Sequence, residues 1–195
     1  DLGRTFRRLI DAEQKAQGHG RTHGLAAARA SFYTGEIAHI IADHAQARGG
    51  LLSVEDLANF RVQIEEPVSL SYRGYDVYKC GPWSQGPVFL QQLALLEGYD
   101  LNALGHNSPE YIHTIAEVTK LAFADREQYY GDPRFVDVPM AGLLSKDYAA
   151  KRRMLIDPHR ASLEQRPGNP RNGEALLTGE DIFAARNWGP GTVYV

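Results

Sequence analysis

The stretch SPEYIHTIAEVTKLAFADREQYYGDPRFVDVP, residues 108–139, decides the fold of this chain. Ser108 suits a helix start because its hydroxyl can accept free backbone N–H groups, and Pro109 suits the first helical position. Apolar residues then recur at spacings of three, four and seven, which predicts an amphipathic helix of about six turns. The stripe consists of Tyr111, Ile112, Ile115, Val118, Leu121, Ala122 and Tyr129. Gly131 and the following Asp132-Pro133 pair are expected to end the helix.

The composition narrows the class of protein. The 195 residues are 43% hydrophobic and carry a net charge of −3, which allows one domain or one and a half. This charge provides no basic surface for nucleic acid or an anionic membrane, and no window approaches the ~18 apolar residues of a membrane span. The start, DLGRTFRRLIDAEQ, has no apolar signal region and lies within a predicted helix, so further upstream sequence is expected. One cysteine excludes an internal disulfide.

Residues 1–60 are predicted to form a helical block. Helices are expected up to Gly18-His19-Gly20, over 25–32, over 36–48 and through Phe60, the last one opened by a capping box of Ser53 and Asp56. The apolar side of the first helix consists of Leu2, Phe6, Leu9, Ile10 and Ala16, which share one helical face, and the inward face of the third helix is assigned to Ile37, Ile40, Ile41 and Ala45.

The apolar period changes to two over residues 61–80, which predicts a β-hairpin or meander. The alternating residues are Val62, Ile64, Val68, Leu70, Tyr72, Tyr75 and Val77, with a turn at Arg73-Gly74. Residues 81–156 are predicted to form a helical layer with helices at 87–97, along the opening stretch and at 146–156. Residues 157–190 are assigned to an irregular linker rich in proline and glycine, and 191–195 to the start of a strand, all within one partial domain.

Residues 80–86, CGPWSQG, resemble two catalytic patterns only partly. Trp83 stands where a thioredoxin-type motif has its second cysteine, so dithiol exchange is excluded and Cys80 is assigned a structural role. The setting of Ser84 between a strand and a helix is that of a nucleophile elbow, but Pro82 occupies a crowded position and the first glycine lies too far away. A restricted turn in which Ser84 caps the next helix is favoured over a serine hydrolase that would use His106, His113 or His159.

Two further clusters are assigned structural roles. The spacing of His19 with His23 and of His39 with His44 matches no metal-ligand pattern. Acidic residues interleaved with arginines at the end of the long helix favour an ion-pair network over acid–base catalysis. These residues are Asp125, Arg126, Glu127, Asp132, Arg134 and Asp137.

Thr192, in the sequence Gly189-Pro-Gly-Thr-Val-Tyr-Val195, is of mechanistic interest. A threonine at a chain N-terminus has a nucleophilic hydroxyl and an α-amine that can serve as its base. The ordinary pKa of this amine, ~7.7–8.0, is close to working pH. The preceding glycine tolerates the strain of a self-cleaving junction, although by pattern alone a threonine at this place is an ordinary strand residue.

Four stretches taken in order are more specific than any single motif. They are FYTGEIAHIIADHAQARGGLLSVEDLANF (32–60), EEPVSLSYRGYDVY (65–78), QQLALLEGYDL (91–101) and KLAFADREQYYGDPRFVDVPMAGLLSKDYAAKRRMLID (120–157). Together they resemble the γ-glutamyltranspeptidase family, from the second half of the large subunit to its junction with the small subunit. The resemblance is weakest over 157–190.

The resemblance implies an α+β chain, mostly helical with a short antiparallel β segment, within a layered αββα N-terminal-nucleophile hydrolase fold. It further implies a precursor that cuts itself before a threonine, which then attacks the γ-glutamyl amide of glutathione or a related compound. Water or an amino-acid amine accepts the acyl group. On this sequence Thr192 matches the catalytic nucleophile and Gly191 the other side of the cut. The implied partners are the small subunit of the same precursor and a γ-glutamyl substrate, and no cofactor or metal is implied. The family resemblance favours a periplasmic or secreted protein, and a cytoplasmic one stays open.

Departures from the family pattern keep alternatives open. The family turn Pro-Pro-Ser-Ser-Gly-Gly is replaced by residues 81–86, and a Thr-Thr-His junction by Thr192-Val193-Tyr194. An acylase acting on a β-lactam side chain or on poly-γ-glutamate, and a non-catalytic helical scaffold, are the alternatives. Because the other substrate-binding groups of the family lie outside residues 1–195, the isolated chain is expected to be inactive.

Overall fold

The structure is a computed structural model that describes residues 2–177 and divides into two compact units, which meet in sequence between Ile64 and Glu65. The described residues are mostly helical, with one short antiparallel sheet, as the sequence predicts. None of their helices combines the length and the apolar character that crossing a membrane would require.

The first unit consists of four helices and a short 3₁₀ turn. They are α1 (Leu2–Ala16), the turn Gln17–His19, α2 (Arg21–Tyr33), α3 (Glu36–Gln46) and α4 (Val54–Asn59). The predicted capping box opens α4, since Ser53 Oγ accepts from Asp56 N at 3.1 Å and Asp56 Oδ2 accepts from Ser53 N at 2.8 Å. The ring of Phe60 stacks on Tyr33 at 5.6 Å, which ties the end of α4 to α2.

The apolar face of α1 is exposed: the helix has no buried residue, and Leu2, Phe6 and Ile10 are 69%, 54% and 48% exposed. The buried residues of α3 are Ile37, Ala38 and Ala42. Ile37 therefore lies inward as predicted, whereas Ile40, also predicted to lie inward, is 52% exposed.

The second unit opens with a hairpin of β1 (Val68–Tyr72) and β2 (Tyr75–Lys79). Arg73 and Gly74 between the strands both have positive φ, 49° and 86°, as a two-residue type I′ turn requires. The predicted β segment begins too early, because Val62 and Ile64 lie outside any strand and are 82% and 101% exposed. Their alternation finds no partner strand in the described residues, and Pro67 offers no N–H for pairing.

The core of the second unit lies between α5 (Gly86–Leu96), α7 (Pro109–Tyr129) and α9 (Lys146–Arg153), with β1 against α5. The buried cluster consists of Leu70, Val88, Leu90, Ala94, Leu95, Leu96, Val118, Leu121, Ala122 and Ala149. Two short helices, α6 (Leu101–Leu104) and α8 (Met140–Leu143), were not predicted because four residues are too few for a periodic pattern.

The long helix α7 begins as predicted and buries an unexpected face. Ser108 Oγ accepts from Tyr111 N at 3.0 Å, and Pro109 is the first helical residue. The buried face contains polar residues, namely Thr114, Glu117 and Asp125, whereas Ile112 is 56% exposed. The helix ends at Tyr129, two residues before Gly131. Gly131 allows the side chain of Val136 to pack against the backbone, because a Cβ at residue 131 would lie only 2.5 Å from Val136 Cγ2.

Candidate functional site

The predicted nucleophile, Thr192, lies outside the described residues. The described part of the chain therefore contains the candidate supporting structure of the site: the turn at residues 81–86 and two carboxylates buried on α7.

The turn at 81–86 holds Ser84 in backbone contacts. Ser84 Oγ donates to Gly81 O at 2.9 Å and accepts from Gly86 N, at the first residue of α5, at 3.0 Å. The N-cap position itself is Gln85, whose side chain makes no cap hydrogen bond, so Ser84 binds the start of the helix from one residue before the predicted cap position. Gly86 is required here because a Cβ would be 2.5 Å from Cys80 O. In the described residues the Ser84 hydroxyl contacts no histidine, and this arrangement agrees with the restricted turn rather than with a serine nucleophile.

An open cleft of about 630 Å³ adjoins this turn. It is lined by Pro67, Tyr78, Lys79, Cys80, Ser84, Gln85, Gly86 and Phe89. The Lys79 ammonium lies 5.5 Å from the centre of the Phe89 ring, and the Cys80 thiol is exposed and unbonded to another cysteine. Among the described residues that line this cleft, the cation, the aromatic ring and the thiol form no catalytic set.

Asp125 is the centre of a fully buried polar cluster. Its Oδ2 accepts from Gln91 Nε2 at 2.5 Å and from the Tyr148 hydroxyl at 2.9 Å. Its Oδ1 accepts from Arg152 Nη2 at 3.1 Å and from Gly168 N at 2.7 Å. Asp125 and Arg152 are both 0% exposed. We call these five residues the Asp125 hub.

Burial dominates the electrostatics of the hub. Burial raises the pKa of Asp125, while the Arg152 charge and the donors on Gly168, Tyr148 and Gln91 oppose that rise. The pKa of Tyr148 is raised, first by burial and then by the nearby Asp125 charge. Tyr148 therefore keeps its proton and donates a hydrogen bond. The four donors around Asp125 stabilise the negative charge of its carboxylate in the buried site.

The other acidic residues at the end of α7 form ion pairs, as the sequence predicts. Glu127 pairs with Arg126, Asp132 with Arg134 at 2.5 Å, and Asp137 with Arg171 at 2.6 Å. Arg152 and Arg171 are the partners that the sequence did not suggest, because they follow Asp125 and Asp137 by 27 and 34 residues.

Glu117 is a second buried carboxylate, two turns before Asp125 on α7, and is 1% exposed. It accepts from Lys120 Nζ at 2.6 Å, from Ser162 N at 3.2 Å and from Arg166 Nη2 at 2.9 Å. Burial opposes its ionisation, but the Lys120 and Ser162 hydrogen bonds and the charges of Lys120 and Arg166 outweigh it and lower the pKa of Glu117. Both buried carboxylates thus bind the segment after residue 157.

The contacts of the histidines in residues 2–177 are made with groups other than these carboxylates. The rings of His19 and His23 are 6.0 Å apart, His44 contacts Arg48, and His113 Nε2 contacts Asp157 O at 2.8 Å. Within residues 2–177, no three His, Cys, Asp or Glu side chains converge as metal ligands.

Comparison with known proteins identifies the family to which the chain belongs. A family model described as gamma-glutamyltranspeptidase matches residues 3–195, which is nearly the whole chain. The chain belongs to the gamma-glutamyltranspeptidase family. The acylase ACY 1 proenzyme of Pseudomonas sp. strain SE83 is 43% identical over 132 residues, 67% of this chain and 24% of that protein. The glutathione hydrolase proenzyme of Escherichia coli K12 is 43% identical over 140 residues, 70% of this chain and 24% of that protein.

Structural similarity supports the same family. The crystal structure of Helicobacter pylori gamma-glutamyltranspeptidase matches with a TM-score of 0.65 at 37% identity, covering 71% of this chain and 40% of that one. The predicted fold class is thereby confirmed: this chain is part of an N-terminal-nucleophile hydrolase fold. It spans about a quarter of the length of the curated relatives it matches, whose proenzyme names indicate processing.

The hub residues Gln91, Tyr148, Arg152 and Gly168 were missed in the sequence. Each stands in a segment whose local pattern explains it otherwise: Gln91 in an apolar helix, Arg152 among basic residues at a helix end, and Gly168 in an irregular stretch. The one available signal was Asp125 itself. This carboxylate follows Leu121 by four residues and Ala122 by three, which places it on the same helix face as these two buried residues.

Removing the hub carboxylate should destabilise the protein strongly. Asp125→Asn keeps the volume but leaves Arg152 buried without a counter-charge, so we expect the full-length protein to lose about 3–5 kcal/mol of unfolding free energy. The matched control is Asp132→Asn, which breaks the exposed pair with Arg134 and should have a much smaller effect. Urea unfolding followed by tryptophan fluorescence provides the measurement, and equal losses in the two variants would contradict this account.

The Glu117 contacts should make stability sensitive to acid. Because the pKa of Glu117 is lowered on folding, its contribution is present above the ordinary glutamate pKa and is lost as pH falls through the folded value. Glu117→Gln should therefore melt below the wild-type protein at pH 7, and the gap should narrow below pH ~4.3. The exposed Glu164→Gln serves as the control with little effect at either pH. A gap that stays constant or widens as pH falls would refute the assignment.

Proposed function

We propose that the full-length protein is a γ-glutamyl transferase or hydrolase that acts through Thr192, with residues 1–191 of this chain as part of its large subunit. The observation that carries the proposal is the family match, which continues through Gly191-Thr192 to residue 195. Glutathione hydrolase proenzymes among the relatives support both the substrate class and the processing.

Processing would expose the nucleophile. Hydrolysis of the Gly191–Thr192 amide adds one water molecule and leaves a carboxylate on Gly191 and a free α-amine on Thr192. This amine can take the proton of the Thr192 hydroxyl within the same residue, because its ordinary pKa of ~7.7–8.0 lies near neutral pH. The small subunit that begins with Thr192 is then the obligate partner of this chain.

Acyl transfer would follow in two balanced steps. The Thr192 oxygen bonds to the γ-glutamyl carbonyl carbon, the amide bond breaks, and the leaving amine departs with the proton that the α-amine took up. An ester links the acyl group to Thr192. Water, or the amine of an amino acid, then attacks this ester, which restores the Thr192 hydroxyl and releases glutamate or a new γ-glutamyl amide.

Cleavage at the junction tests the proposal directly. We expect mass spectrometry of the purified full-length protein to find two chains, cut between Gly191 and Thr192. Thr192→Ala should remain a single chain because it lacks the hydroxyl, whereas Thr178→Ala, the matched control at the other threonine of residues 178–195, should be cut normally. A wild-type protein that stays intact and only oligomerises would favour the non-catalytic scaffold.

An acylase acting on another amide is the second candidate, supported by the acylase proenzyme at 43% identity. The replaced turn at residues 81–86 is compatible with a different acyl group. We expect the processed protein to release p-nitroaniline from γ-glutamyl-p-nitroanilide at least ten times faster than it cleaves the side-chain amide of a cephalosporin. Preference for the cephalosporin, with Thr192→Ala inactive on both, would favour the acylase, and a similar comparison with poly-γ-glutamate would test that polymer.

A further inference from the structure

The first unit, described over residues 2–64, buries little apolar surface. Its buried residues are Gly24, Ile37, Ala38 and Ala42, of which only Ile37 has a large side chain. Domains of about 60 residues are marginally stable even when they have a complete core. The contacts described within the first unit therefore do not account for a stable fold of this unit alone.

One face of α1 carries large apolar side chains that remain exposed in the part of the chain that the structure describes. Leu2, Phe6 and Ile10 follow one another at intervals of four residues, so they lie one above the other along the helix. Each of them is about half exposed or more. We call these three residues the α1 stripe. A contiguous apolar surface of this kind marks a site of protein or membrane interaction.

The α1 stripe is presented by a helix that its neighbours hold in place. A Cβ on Gly24 of α2 would lie 3.1 Å from Glu13 Cγ and 3.3 Å from Glu13 O, so the two helices approach closely at this glycine. Arg8 Nη1 lies 3.5 Å from Glu36 Oε1, which connects α1 to α3. A preformed surface loses less conformational freedom on binding than a flexible one. The stripe is therefore suited to a specific protein partner.

The small core of the first unit favours a permanent partner over a transient one. A partner that leaves would return the unit to a state with little apolar burial, whereas permanent interfaces resemble a domain core divided between two surfaces. The rest of the precursor is a polypeptide that is always present. This chain covers 24% of the Escherichia coli glutathione hydrolase proenzyme and 40% of the Helicobacter pylori chain, so in both relatives most of the polypeptide lies outside the matched part.

Two other occupants fit the stripe less well. A helix that lies on a membrane surface has a polar face rich in lysine and arginine, whereas α1 also carries Asp11 and Glu13, and the chain has a net charge of −3. A second copy of α1, packed symmetrically about Phe6, would bring Arg7 of both copies to the same flank of the contact, where like charges repel.

We propose that the α1 stripe is a docking surface for the part of the precursor that lies outside residues 1–195, and that the first unit depends on this contact for its stability. The contact is apolar and needs neither the Thr192 hydroxyl nor a cut at the junction. It therefore goes beyond the proposed function and can be tested separately from it.

Thiol labelling of the native full-length protein measures whether the stripe is covered. Phe6→Cys is made in a Cys80→Ser background, since Cys80 is an exposed thiol. The control is Asp11→Cys on the same helix, five residues on and about 140° around the axis. We expect a maleimide to label Phe6→Cys roughly ten times more slowly than Asp11→Cys, because the core of an interface excludes solvent. In urea both variants should be labelled equally fast.

Photo-crosslinking identifies the occupant and keeps an aromatic side chain in the stripe. With p-benzoylphenylalanine in place of Phe6, irradiation of the full-length protein should join residue 6 to peptides outside residues 1–195, in a product no heavier than one precursor. The same residue in place of Asp11 is the control and should give little of this product. Mass spectrometry of the digested product maps the joined peptide.

Any of four other results would overturn the docking role. Equally fast labelling of Phe6→Cys and Asp11→Cys in the native protein means that the stripe stays in water. Crosslinks within residues 1–195 show a contact inside this chain, a product of twice the precursor mass shows a second copy, and protection that appears only with anionic lipid vesicles shows a membrane. A wild-type precursor that stays uncut at Gly191–Thr192 overturns the proposed function alone, because labelling and crosslinking do not depend on the cut.

Discussion

The ion pair between Asp125 and Arg152 is the constraint on which the second unit depends. Both side chains are withdrawn completely from water, and transferring a carboxylate and a guanidinium costs several kcal/mol per ion. Attraction to one partner seldom offsets this cost, so further donors are needed. The structure supplies them from α5, from α9 and from the irregular segment 162–177, here called the strap, through Gln91, Tyr148 and Gly168. Three parts of the chain are thereby required to meet α7 in one arrangement.

This requirement gives α7 a second task beside its apolar contacts. Val118, Leu121 and Ala122 pack into the core with α5, whereas Glu117 and Asp125 on the same helix accept hydrogen bonds from the strap. An apolar residue at either carboxylate position would pack equally well against helices, but it would leave strap N–H groups without an acceptor. The carboxylates therefore specify which backbone covers the helix, a task that non-directional apolar contacts cannot perform.

Local signals in the sequence predicted the elements and missed the hub for the same physical reason. The Ser108 and Ser53 caps, the Arg73-Gly74 turn and the helical periodicity act within a few residues, and each appears in the structure. The partners of Asp125 are between 23 and 43 residues away, and no local pattern carries such a pairing. Val62 and Ile64 show the converse error, since alternation alone predicts a strand even where the described residues contain no partner strand. Thr192 was assigned by resemblance to a family, because a glycine–threonine pair has no distinctive pattern of its own.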